Sequence, residues 1–165
     1  DSLSIVENPF LKKGHASKYF DGEGVNLKER TILDNGNLQG YFLSSYSARK
    51  LGMQTTGNSG GAHNLIVDSS QKSLDELIQG IDKGLLITEI LGHGLNMVTG
   101  DYSRGAAGFW IESGKIKHAV EEITIASNLK DMLLNIKAIG NDIYQHTSKY
   151  TGSIMIEPMT VATNN

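Results

Sequence analysis

Asp101 and Arg104 stand between Gly100 and Gly105, inside a twelve-residue run from Thr99 to Trp110 that holds three glycines and the only Trp of the chain. Glycine weakens a regular strand or helix by roughly 0.5–1 kcal/mol relative to Ala. Three of them predict a short loop at Asp101-Tyr102-Ser103-Arg104, followed by an apolar strand over Ala106–Glu112. An acid and a base on such a loop could contact a peptide or a partner protein. The simpler reading is a hairpin in which they pair with each other or with nearby backbone.

A second candidate is Gly57-Asn58-Ser59-Gly60-Gly61. Successive backbone N–H groups there could form a nest for an anion, but the Gly-Lys-Ser/Thr end of a phosphate-binding loop is absent. Ser59, Gly60 and Gly61 could instead offer their N–H and C=O groups to an extended peptide, which binds mainly through main-chain hydrogen bonds. Ser47-Ala48-Arg49-Lys50 matches Ser-x-x-Lys, in which a lysine one turn on activates a serine nucleophile. Its companion elements are missing, and a surface or capping role for Ser47 explains it as well. The histidines His15, His63, His93, His118 and His146 are scattered, and no pair has the spacing that places two imidazoles on one helix face. Glu121-Glu122 and the pair Glu76 and Asp82 read as solvated faces or cap partners.

The composition narrows the classes. The chain has 165 residues, 39% hydrophobic and 20% charged, with 19 Gly and 2 Pro. That profile belongs to a turn-rich globular chain, and its length to a single domain over 1–165. With 15 Lys and Arg scattered among 18 acids, the net charge of −3 gives little support to nucleic-acid binding. No apolar window reaches the roughly 18 residues of a membrane span. The absence of Cys removes thiolate ligands and disulfides and fits a reducing compartment. The chain opens at Asp1 without Met and enters strand-like sequence at Leu3, which reads as a fragment of a longer protein.

These residues are positioned by short elements. Arg30–Asp34 and Gly40–Ser44 flank Asn35-Gly36, which suits the positive φ angles of a tight hairpin turn. Ser44–Leu51 reads as a short helix closed by Gly52, and His63–Val67 as a strand. Ser73-Leu74-Asp75-Glu76 is a capping box opening a helix that carries Leu74, Leu77, Ile78 and Ile81 and runs to Gly84. Leu85–Leu91 reads as a buried strand, and Ser113-Gly114 as a second hairpin turn. Leu129, Met132, Leu133, Ile136 and Ile139 form an apolar stripe that predicts the longest helix, capped by Asn128 and stopped by Gly140. Gly152–Ala162 reads as an edge or closing strand, because Pro158 cannot donate to a ladder. The sum is α+β and β-rich: a mostly antiparallel sheet or partial barrel with two main helices.

The run Gly100–Trp110, then Glu121–Ala126, Asn128–Met132 and Gly140–Ile143, resembles the C-terminal domain of the PmbA/TldE members of the TldD/PmbA metalloprotease family. Phe20–Val25 and Ser44–Gly52 are similar too, so the resemblance spans nearly the whole chain in order. It implies the C-terminal domain of a longer protein, a non-catalytic subunit that pairs with a TldD-type partner in a protease of unfolded peptides. In that family this activity is tied to microcin precursor maturation, antidote degradation and modulation of DNA gyrase. It also implies zinc on the TldD-type partner, held by a His-Glu-x-x-x-His helix and a Cys near the C-terminus. Thr151, before Gly152-Ser153, matches the Cys position, and a neutral hydroxyl is a poor zinc ligand beside a thiolate. No catalytic or metal residue is therefore expected here. Ser59, Gly60, Gly61, Asp101, Tyr102, Ser103 and Arg104 are the candidates for peptide or partner contact. The alternative is a protein-binding module acting on gyrase or a regulator without protease activity. Self-association of the fragment is also expected.

Overall fold

The computed structural model describes residues 3–163. They fold as two compact units interleaved along the chain: residues 3–69 with Asp142–Gly152, and Ser70–Asn141 with residues 153–163.

The first unit is built on a five-stranded sheet. Its strands are β1 (Ile5–Glu7), β2 (Arg30–Asp34), β3 (Asn37–Leu38), β4 (Leu65–Val67) and β9 (Lys149–Tyr150), in the order β3-β2-β1-β4-β9. Only the β4–β9 pair is parallel. The β2–β3 hairpin turns at Asn35 and Gly36, whose φ angles of 48° and 78° are the ones an Asn-Gly turn supplies. The strand predicted over Gly40–Ser44 does not form; β3 is the two-residue segment Asn37–Leu38 instead. After Leu38 the chain leaves the ladder, and Leu43 instead bonds through both backbone groups to Thr56. Helix α1 (Ser45–Lys50) starts at Ser44, whose hydroxyl accepts from the Ser47 N–H. Leu27, Ile32, Leu43 and Ala48 are buried here beside five buried polar residues, Glu7, Asp21, Asn58, His63 and Asn64.

The second unit carries a four-stranded antiparallel sheet, β11-β7-β6-β5, formed by β5 (Lys83–Leu91), β6 (Asp101–Glu112), β7 (Lys115–Asn128) and β11 (Thr160–Thr163). Ser113 and Gly114, at φ 50° and 71°, make the tight β6–β7 turn. The single strand predicted over Gly152–Ala162 is broken at Pro158 into β10 (Ile154–Ile156), which pairs in a separate two-stranded sheet, and β11, which lies at an edge of this one. Helix α2 (Leu74–Gln79) opens on a complete capping box: the Ser73 hydroxyl accepts from the Glu76 N–H while the Glu76 carboxylate accepts from the Ser73 N–H. It ends at Gly80, one turn before the Gly84 stop read from the sequence. Ala106, Ile123 and Ile125 form the heart of the core, with Leu85, Ile87, Tyr102, Val120 and Met159 packed against them.

Two further expectations change. The predicted long helix after Asn128 is a six-residue helix, α3 (Leu129–Leu134), followed by strand β8 (Ile136–Ile139), which pairs with β10 (Ile154–Ile156). Asn135 breaks the stripe by turning its side chain back onto the Asp131 carbonyl at 2.8 Å. Ile136 and Ile139 then enter a ladder that suits β-branched side chains. The predicted Asp101–Arg104 loop is instead the first third of β6. The architecture is α+β, β-rich and mostly antiparallel, and the described residues hold three six-residue helices and no closed barrel.

Candidate functional site

In the first unit the sequence motif Gly57–Gly61 is fastened from below by a carboxylate that sequence reasoning missed. Glu7, at the end of β1, is 1% exposed. Its Oε1 accepts from the Asn58 side-chain amide at 2.7 Å, the His63 backbone N–H at 2.8 Å and His63 Nδ1 at 2.9 Å. Its Oε2 accepts from Arg30 Nη2 at 2.7 Å and Nε at 3.2 Å. Arg30 Nη2 also donates to Asn58 Oδ1 at 2.9 Å, and the Thr56 hydroxyl donates to the same oxygen. Burial pushes the Glu7 carboxyl up, but the donors from His63, Arg30 and Asn58 outweigh it and hold it below its ordinary 4.5. The carboxylate therefore stays charged in an almost dry site.

A second carboxylate fixes the motif from the side. Asp21 Oδ2 accepts from the Ser59 N–H at 3.0 Å, and Oδ1 accepts from the N–H groups of Glu23 and Val25. Burial again works upward, and these three backbone donors pull the carboxyl below its ordinary 3.8. The Gly22 N–H closes the arrangement on the Ser59 carbonyl at 3.1 Å. Gly60 and Gly61 both sit at φ 104°, and a side chain on either would meet open space. Those φ values are what a non-glycine residue avoids. Ser59, Gly60 and Gly61 thus form a turn pinned on two sides, with exposed backbone at its tip.

In the second unit Asp101, Tyr102, Ser103 and Arg104 alternate along β6. Residues three apart on a strand face opposite sides, so Asp101 and Arg104 cannot pair with each other. Asp101 accepts from the Thr99 hydroxyl at 2.6 Å and from the Asn128 side-chain amide at 3.3 Å. Arg104 donates to the Leu91 and Gly92 carbonyls. The Ser103 N–H donates to the Gly94 carbonyl at 2.7 Å, and Tyr102 packs against the core. These four residues hold the connection between β5 and β6. Arg104 pairs with backbone, one half of the simpler sequence reading, whereas Asp101 is held by the Thr99 and Asn128 side chains.

The remaining motifs are placed as follows. Ser47 donates its hydroxyl to the Ser44 carbonyl, and the Lys50 ammonium lies 5.0 Å from the centre of the Tyr46 ring, not on Ser47. Among the described residues no three His, Cys, Asp or Glu side chains are grouped to hold a metal ion. The Thr151 hydroxyl donates to the Gly152 carbonyl. Glu7 escaped detection because Ile5-Val6-Glu7 looks like an ordinary strand end. The one available signal was an acid on a short apolar strand, which is uninformative without its partners.

The sequence model of the PmbA/TldA metallopeptidase C-terminal domain matches residues 1–163. The chain is 48% identical over 162 residues to the metalloprotease PmbA of Escherichia coli O157:H7, covering 98% of this chain and 36% of that protein. It is 47% identical to the PmbA homologue of Haemophilus influenzae, covering 99% and 37%. The crystal structure of a Bacteroides thetaiotaomicron protein described as a modulator of DNA gyrase superposes with a TM-score of 0.92 at 35% identity, covering 99% of this chain and 37% of that one. A Thermotoga maritima protein of the same description gives 0.87 at 38%, covering 98% and 39%. The chain thus spans little more than a third of the length of the relatives it matches. On the match over residues 1–163, the chain belongs to the PmbA/TldD metallopeptidase family and corresponds to its C-terminal domain.

Proposed function

We propose that this domain is the non-catalytic part of a cytoplasmic zinc metalloprotease assembly that cleaves unfolded peptides. It pairs with a TldD-type subunit that carries the zinc, and the Ser59–Gly61 turn contacts the extended peptide. The observation that supports this reading most is the pinned turn. Asp21 and Glu7 hold its frame through Ser59 and Asn58, Gly61 bonds back to Asn58 through both its backbone groups, and Gly60 stands exposed at the tip. A peptide can add to such a preset edge without first ordering it, which lowers the entropy cost of binding. Family membership and the poor fit of Thr151 as a metal ligand support the division of labour.

The test uses a full-length parent, alone and mixed with a TldD-type subunit, assayed for zinc and for cleavage of an unfolded peptide. Activity confined to the mixture, with zinc on the added subunit, is expected; zinc and activity in the parent alone would overturn the proposal. Gly60→Pro removes the tip's backbone donor and, with φ locked at about −65°, also breaks the turn, so a several-fold rise in KM for peptide is expected in the mixture. The names of the Bacteroides and Thermotoga relatives favour a second reading, a module that acts on gyrase. Co-purification of gyrase subunits without a metalloprotease partner would select it.

A further inference from the structure

Residues 9–18 form a compact loop whose ends meet, with the Lys18 N–H donating to the Pro9 carbonyl at 3.0 Å. Loops of this closed kind are frequently functional. This one is built from the inside by Asn64, which is fully buried. Asn64 Oδ1 accepts from the Ala16 N–H at 2.9 Å, and its amide donates to the Asn8 carbonyl and the Ser17 hydroxyl, each at 2.9 Å. The Ser17 hydroxyl reaches the Leu11 carbonyl at 2.6 Å. Gly14 fits only as glycine, because a Cβ would stand 2.7 Å from Ser17 Oγ and 2.8 Å from Asn64 Nδ2.

What this frame displays is unusual for a chain of net charge −3. From Pro9 to Phe20 there are three lysines, Lys12, Lys13 and Lys18, with His15 and no acid. All three lysines are exposed, and among the described residues none forms an ion pair. The flanking acids do not neutralise them. Glu7 and Asp21 are buried and turned onto Arg30, Asn58, His63 and backbone donors. Phe10 and Tyr19 stack beside each other at 6.1 Å between ring centres, and they stand 48% and 79% exposed, with Phe20 at 60%. Large exposed aromatics beside uncompensated cations mark a recognition surface rather than a solvated one.

We infer that the loop of residues 9–20 is a docking surface for an acidic, apolar-bearing polypeptide segment, its carboxylates meeting Lys12, Lys13 and Lys18 and its apolar side chains meeting Phe10, Tyr19 and Phe20. Charge complementarity selects the acid character. The aromatic pair demands apolar contact that a purely electrostatic ligand would not use. A nucleic-acid strand fits less well, because the net charge of −3 repels a polyanion at long range whereas a short acidic segment engages only the local field. The inference stands apart from the protease reading and holds whether or not the assembly cleaves anything.

The test is fluorescence anisotropy on the 165-residue chain with a labelled peptide alternating Asp or Glu with Phe or Leu. Controls are the same peptide with Lys in place of the acids, oligothymidylate, and phosphatidylserine vesicles. The acidic peptide is expected to bind at least about tenfold more tightly than the basic one, and to weaken several-fold from about 0.05 to about 0.3 M salt. Replacing Lys12, Lys13 and Lys18 together by Gln, all exposed and so without effect on the unfolding midpoint, is expected to cost about tenfold. Phe10→Ala with Tyr19→Ala is expected to weaken binding while preserving its salt dependence. Equal binding of acidic and basic peptides, an undiminished triple Gln variant, or tighter binding to oligothymidylate or to the vesicles would overturn the assignment.

Discussion

At the scale of single residues the chain is governed by two carboxylates. Glu7 accepts five hydrogen bonds from three side chains and one backbone N–H, which saturates both of its oxygens. Glu7→Gln would place an NH2 against either the Arg30 guanidinium or the Asn58 and His63 donors. Breaking a buried, paired charge in this way is expected to cost about 3 kcal/mol, read as a drop in the urea midpoint with unchanged slope. The pH dependence follows from the same groups. Both Glu7 and Asp21 have folded pKa values below their ordinary 4.5 and 3.8. The unfolded chain therefore takes up protons first as pH falls, so their contribution is present in full above those ordinary values. It is lost as pH drops through the lower folded ones. Urea titrations between neutral pH and about pH 3 are expected to show stability falling on the acid side, with a flatter fall in Glu7→Gln. An equal slope in the variant would remove Glu7 from the account. None of this network was legible in the sequence, because Glu7, Arg30, Asn58 and His63 are far apart along the chain and only the sheet brings them to one point.

Among the elements, glycines decide how closely strands pack. Gly108 on β6 lies against β5 so tightly that an added Cβ would stand 2.0 Å from the Leu86 carbonyl oxygen, with the Ile87 Cα at 2.9 Å. Backbone cannot yield that distance cheaply. Gly108→Ala is expected to destabilise the chain by about 2–3 kcal/mol, whereas Gly52→Ala, with open space around it but φ 64°, pays only backbone strain of about 1 kcal/mol. Comparable losses in the two variants, measured by thermal melting, would refute the close-packing argument. The glycine-rich run from Gly100 to Gly108 predicts a loop, yet from Asp101 onward it forms part of strand β6. Its assignment to a loop failed because the approach is strand against strand. Local signals worked where the chemistry was local: the Ser73 capping box and the Asn35-Gly36 and Ser113-Gly114 turns all formed. The stripe Leu129–Ile139 misled because Leu, Met and Ile at helical spacing do not reveal whether the last turn will find a strand partner; Ile154–Ile156 supplied one.

For the molecule as a whole, two separate cores matter. The first unit surrounds buried polar groups with a thin apolar set, while the second packs Ala106, Ile123 and Ile125 under a long β6–β7 hairpin. Hydrogen exchange is expected to speed up across β1, β2 and β4 in Glu7→Gln, while the β6–β7 amides keep their protection. Uniform loosening of both would argue against the two-unit division. The β-rich, antiparallel α+β class was legible in the sequence because hairpin turns and caps are contiguous and carry their own physics, and the family because long motif runs resemble it. Only the tertiary structure decided that Asp101 and Arg104 face opposite sides of a strand, that Glu7 is the hub beneath the Ser59–Gly61 turn, and that Asn64 frames the basic loop. Each of those outcomes depends on which distant backbone arrives beside a side chain, and no local pattern encodes that.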